Sequence, residues 1–179
     1  MKRSCLIIAS VIALLVSPRT VLALDQSDLG VDRIEYIRNN CGDTQVAISS
    51  VRATDKVAYV NIGQQLETLY NRLMAPMNGR VALNKFDGVA LAKTTVDFNA
   101  EVKRFQSIYR EYEQSVARIT QMSCYNQPVE FYDNLTVLLQ KRSAVRESLD
   151  KLVALASRYR DDVSIVQKQV ATDGQSYEQ

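Results

Sequence analysis

No histidine occurs among the 179 residues, and glycine, proline and cysteine are scarce, at 6, 3 and 3. Without imidazole there is no Ser-His-Asp or Cys-His nucleophile system and no ordinary zinc site, because histidine is the usual general base and metal ligand near neutral pH. Scarce glycine and proline, with abundant Leu, Val, Ala, Gln, Arg and Glu, make a helical composition. The few glycines sit in isolated pairs such as Asn78-Gly79 and Asp87-Gly88, so no glycine-rich phosphate cradle is present. Charge of one sign is also lacking: 22 basic residues face 20 acidic ones.

Lys2 and Arg3 precede an uncharged run from Cys5 to Val16, followed by Ser17-Pro18 and Val21-Leu22-Ala23. That order of charge, apolar run and small residue is the order of a secretory signal peptide, and cleavage is expected after Ala23. The run is short for a membrane span, although a retained anchor is the alternative. Lipidation is disfavoured, because Leu24 follows the cleavage site and Cys5 lies too early. Cleavage removes three basic residues and no acid, turning a net charge of +2 into −1. Nucleic acid and anionic membrane surfaces thereby lose their electrostatic motive as partners.

The remainder is long enough for one domain, 24–171, with a polar tail over 172–179 and a polar start from Leu24 to Leu29. No later stretch is long and apolar enough to cross a membrane. Apolar residues recur at alternating steps of three and four in three segments, predicting helices over about 31–75, 90–122 and 128–168. The second stripe is Phe98, Val102, Phe105, Tyr109, Tyr112, Val116 and Ile119. The third runs from Phe131 through Leu135, Leu138, Arg142, Val145, Leu149 and Leu152 to Ala156, Tyr159, Val163 and Val166. In the first, Ile34, Ile37, Cys41, Ile48, Val51, Asp55, Ala58, Ile62, Leu66, Leu69 and Leu73 keep the phase.

Pro76 is expected to end or kink the first helix, with turns at Asn78-Gly79 and Asp87-Gly88 and one further helical turn within Val81 to Phe86. Pro128 and Glu130 suit the start of the third. Short links give antiparallel neighbours, so the expected fold is all-α, an up-down-up antiparallel three-helix bundle with long coiled-coil-like helices.

That topology puts Cys41 and Cys124 at one end. Two cysteines in an exported chain then favour a disulfide, with two buried thiols as the alternative. Asp55 and Arg142 are the charged residues within the stripes and fall at a similar level. They are expected to pair across parallel helices and fix register, the alternative being that both snorkel outward. Tyr125 and Tyr132 lie off the stripes and are candidate contacts for a partner. Glu101, Glu111, Glu113, Glu130 and Asp133 are spread along helix faces as solvated charges are, and a carboxylate-only enzyme would need a cleft. Neither catalysis nor a cofactor is expected.

The segments Ile37-Arg38-Asn39-Asn40-Cys41, Asn71 to Pro76, Tyr109 to Glu113, and Cys124 with Pro128-Val129 and Phe131-Tyr132-Asp133 carry a likeness over most of the mature chain. In them the sequence resembles a group of uncharacterised exported helical proteins of small-genome, candidate-phylum bacteria. The resemblance implies export and helical architecture and brings no activity with it. The resulting expectation is a non-enzymatic scaffold or binding protein, secreted or at the cell envelope, that engages a protein partner and has the flanking surface for a homo-oligomer. A periplasmic holdase-type chaperone and a surface or secreted effector of host cells are the alternatives.

Overall fold

A computed structural model of the protein describes residues 30–176. The signal segment 1–23, its cleavage after Ala23 and the start at Leu24 to Leu29 lie outside the described residues. Every regular element described is helical: α1 (Val31–Asn39), α2 (Cys41–Leu69), a π-helical turn (Tyr70–Met74), α3 (Ala75–Leu83), α4 (Val89–Gln121) and α5 (Pro128–Ser176). No strand occurs among them.

The first four elements form one nearly unbroken helical run. Asn40 interrupts it only locally, since its own N–H and side-chain amide both donate to the Tyr36 carbonyl while its carbonyl accepts the Thr44 N–H. Of the two outcomes expected at Pro76, an end or a kink, the run does not end there, and Asn78-Gly79, expected as a turn, lies within helix α3. A proline inside a helix has no N–H to give and its ring collides with the carbonyl four residues back. The π turn immediately before it widens the backbone, with the Ala75 N–H reaching the Tyr70 carbonyl. Such a bulge admits the ring without breaking the helix.

One inserted residue also rotates the buried face by about 100°. Leu73, on the expected stripe, is therefore 55 % exposed, and Met74 takes its place in the core at 1 %. Earlier in the run, Val51 and Ala58 likewise face solvent while Tyr59 is buried.

α3 ends at a Schellman motif: the Lys85 N–H donates to the Ala82 carbonyl and the Phe86 N–H to the Val81 carbonyl. Only Val81 to Leu83 of the further turn expected there is helical. Lys85 occupies the left-handed position, φ 59°, where glycine is usual. Gly88 then brings the chain against Val81 so closely that a Cβ would lie 2.7 Å from Val81 Cγ1.

In α4 and α5 burial repeats every seven residues. Leu91, Phe98, Phe105, Tyr112 and Ile119 are buried in one, and Phe131, Leu138, Val145, Leu152, Tyr159 and Val166 in the other. The two pack along their length in opposite directions, with hydrogen bonds from Thr94 to Asp162 and from Ser148 to Glu101 and an ion pair between Lys141 and Glu111. α5 continues past the expected end near 168 to Ser176, so the expected flexible tail is helical as far as it is described. The first run is antiparallel to α4, through Gln45 to Met122 and Arg52 to Glu113, and parallel to α5, through Asp55 to Arg142 and Tyr159 to Met74.

Replacing Lys85 by glycine relieves the left-handed strain and is expected to stabilise the protein by about 0.5–1 kcal/mol. The midpoint of urea denaturation should rise while its slope stays constant.

Candidate functional site

Asp55 sits at the centre of a polar cluster that joins three helices. Its place on the inward face of α2 leaves it 5 % exposed. A bare carboxylate there would be costly, so burial must be matched by charge and hydrogen bonds. Arg142 on α5 supplies both: its Nε–H donates to Asp55 Oδ2 at 2.7 Å and its Nη2–H to Oδ1 at 2.8 Å. The Tyr112 hydroxyl of α4 adds a third bond to Oδ2 at 2.6 Å. One carboxylate thus joins three separate helices.

Aromatic rings close the cluster. The Tyr59 ring meets those of Phe105, Tyr109 and Tyr112 edge to face, at centroid distances of 6.3, 5.6 and 6.4 Å, and Tyr109 stacks on Phe105. Such edge contacts fix ring orientation as well as burying area. One turn from Asp55, Arg52 reaches Glu113 at 3.4 Å on the more exposed rim.

The electrostatics follow the contacts. Burial alone would raise the Asp55 pKa, but hydrogen bonds from Arg142 and Tyr112, with the charges of Arg142 and Arg146, reverse it and hold the carboxyl below its ordinary 3.8. The hydrogen bond to Asp55 raises Arg142 against the opposing effect of burial. Burial and then the Asp55 carboxylate push Tyr112 well above the usual phenol range. Tyr109 rises to about 12, through burial and the neighbouring Glu113 charge. The cluster is therefore a carboxylate, a guanidinium and neutral phenols over the whole ordinary pH range. Donors engage both oxygens of Asp55, so the carboxylate ties three helices together.

The second cluster is at the N-terminal end of α2, about four turns from Asp55. Cys41 and Cys124 lie at disulfide distance, Cα to Cα 5.5 Å. Gln45 donates to the Met122 carbonyl at 3.0 Å, and Arg38 donates to the Tyr125 carbonyl at 3.2 Å while its guanidinium lies 6.0 Å from the Tyr125 ring centre. Both side chains cap carbonyls that the end of α4 and its link leave without helical partners.

The expected site residues thus separate into three groups. Asp55 meets Arg142, and Cys41 meets Cys124. Tyr125 is 63 % exposed but braced by Arg38, whereas Tyr132 is half-buried on α5 and farther from solvent than its off-stripe position suggested. Sequence reasoning missed the phenol of Tyr112 as a donor and Tyr59 altogether. Tyr112 was legible as core, and a hydroxyl next to a buried acid was the signal to use. The scattered carboxylates also find partners, Glu101 accepting from Ser148 at 2.6 Å and Glu111 pairing with Lys141 at 3.8 Å. Among the described residues, no three His, Cys, Asp or Glu side chains converge as a metal site requires.

Truncating either partner leaves a buried charge without its counterion. Asp55→Ala and Arg142→Ala are each expected to cost about 2–4 kcal/mol, and the double variant less than their sum by about 1–3 kcal/mol. Equilibrium denaturation of the four proteins gives the coupling. Because the folded pKa of Asp55 is depressed, its contribution is complete above the unfolded value near 3.8 and is lost as pH falls through the folded one. Acid titration should therefore show a loss of stability below about pH 3.8 that is smaller in Asp55→Asn.

No family model, curated protein or solved structure matches the chain.

Proposed function

We propose that the protein is an exported, non-catalytic helical scaffold that binds a protein partner outside the cytoplasm, folded as an up-down-up three-helix bundle with coiled-coil-like packing. Residues 1–23 are removed as its signal peptide. The observation that carries this reading is the Cys41–Cys124 pair at 5.5 Å between Cα atoms, braced by Arg38 and Gln45. Disulfides persist in oxidising compartments, so the pair supports export. The seven-residue spacing of burial and the opposed and parallel hydrogen-bond directions support the bundle.

Binding is favoured over catalysis by where polar chemistry is spent. Asp55, Tyr112 and Arg142 hold one another, and Glu101, Glu111 and Glu113 each bond a neighbouring helix. The exposed ring of Tyr125, held by Arg38, is a rigid aromatic of the kind that anchors protein interfaces. Among the described residues, no helix is long and apolar enough to cross a membrane. A holdase-type chaperone is the second reading, favoured by Val46, Val57 and Val60, which lie exposed on one outer face of α2.

Fractionation of the native cell, followed by N-terminal sequencing and thiol alkylation without reductant, tests export. The expected product lies outside the cytoplasm, begins at Leu24 and has no alkylatable Cys41 or Cys124. A cytoplasmic chain with both thiols open to alkylation would overturn the reading. Suppression of client aggregation at several-fold excess would favour the holdase over the scaffold.

A further inference from the structure

The first helical run is held unevenly. α1 buries no residue, and α2 buries only Ile48, Asp55 and Tyr59, whereas α4 buries nine residues. From Val31 to Thr54, Ile48 is the one buried side chain, and it is at the margin at 9 %. Apolar burial, the main source of cohesion, is thus thin in this stretch. Instead it is tied at its middle by Cys41–Cys124, with Arg38 and Gln45 on either side. The next strong attachment, Asp55 with Tyr112 and Arg142, lies about four turns on, roughly 21 Å. Beyond it Tyr59, Met74 and Val81 are buried, and the Tyr159 hydroxyl, itself buried, donates to the Met74 carbonyl.

From this distribution we infer that residues 31–54 are a redox-releasable arm: a dithiol reductant that opens Cys41–Cys124 frees this stretch, while the run from Asp55 onward stays docked on α4 and α5. The inference rests on the disulfide proposed above. The two sulfurs are unequally accessible, Cys41 being half-buried and Cys124 fully buried. A thiolate of the reductant therefore attacks the Cys41 sulfur, breaking the S–S bond and forming a mixed disulfide as Cys124 departs as a thiolate. The reductant's second thiol then displaces Cys41 and closes the reductant's own disulfide. Two electrons and two protons pass to the protein, leaving two cysteine thiols.

Opening removes a cross-link between residues 83 apart in sequence. Little else holds the arm: Ile48 is its one buried side chain, Ile37 is partly buried against the core, and Arg38, Gln45 and Arg52 add side-chain bonds to Tyr125, Met122 and Glu113. The Asp55 carboxylate is the natural stop, because advancing past it would strip a buried charge of both its partners. Release would uncover the cysteine end of the core, where Val116, Ile119 and Phe131 are buried. A surface closed in oxidising surroundings would then open on reduction.

Amide hydrogen exchange of the full chain at neutral pH, with and without dithiothreitol, tests this directly. On reduction, peptides within 31–54 are expected to exchange about 100-fold faster, while those from 59–74, 95–110 and 142–166 change by less than about threefold. In reduced Asp55→Asn the loss should spread toward Met74. The paired variant Cys41→Ser with Cys124→Ala should reproduce the reduced pattern without reagent. Protection of 31–54 that survives reduction, or a uniform loss along the whole chain, would overturn the arm. Two alkylatable thiols in the untreated native protein would instead remove the disulfide on which it rests.

Discussion

One buried carboxylate sets the alignment of everything around it. Asp55 accepts two bonds from the Arg142 guanidinium and one from the Tyr112 phenol, so residues from α2, α4 and α5 must arrive at one point together. The apolar stripes cannot impose this by themselves. A seven-residue repeat of similar side chains packs almost as well when one helix slides by a heptad. The carboxylate admits no such slide, because displacement would leave it buried and unpaired at a cost of about 2–4 kcal/mol. A buried ion pair adds little net stability over an apolar pair of the same shape. Its effect is selective, penalising the wrong registers.

The disulfide-distance pair makes a different kind of contribution. If closed, a cross-link over 83 residues restricts the unfolded chain by about 4.5 kcal/mol in the chain-entropy model. It acts where apolar burial is thinnest, on a helix whose flanks bury almost nothing. The carboxylate and the cysteines also agree in geometry. Cys41 with Cys124, Gln45 with Met122, Arg52 with Glu113 and Asp55 with Tyr112 advance on α2 as they retreat along α4, so the same alignment satisfies both ends.

Much of this is legible in the sequence. The stripes of α4 and α5 hold without a slip, because long amphipathic helices write their burial into every third or fourth residue. Asp55 and Arg142 stood out as charges inside apolar stripes, and the cysteines stood at one end once the links were seen to be short. The failures cluster in the first run. Pro76 reads as a terminator in any linear scan, yet the π turn before it absorbs the ring. The same turn changes the phase by one residue, exchanging Leu73 for Met74, and both are apolar enough that the pattern carries no warning. Tyr59 was passed over because Ala58 kept the expected spacing, although the larger ring is the one that fills the space beside Phe105 and Tyr109. Spacing reports which face is apolar; it does not report which of two neighbours the packing selects. Lys85 is a further case, since a Schellman end normally announces itself by glycine and here does not.

The two attachments of the first run also respond to different variables. Tyr112 and Asp55 shift in opposite directions: burial and then the Asp55 carboxylate raise the phenol, while Arg142 above all, with Tyr112, lowers the carboxyl against its burial. The folded form of this cluster therefore spans the interval between ordinary acid and ordinary phenol titration, and pH changes within that interval do not disturb it. A cystine, in contrast, is indifferent to pH over the same interval in its oxidised state and yields to thiols. A helix carrying both attachments four turns apart has one fastening for register and, with the cysteine pair closed, one for tether. The two fastenings thus act on one continuous helix through different chemistry, one electrostatic and one covalent when the cysteine pair is closed.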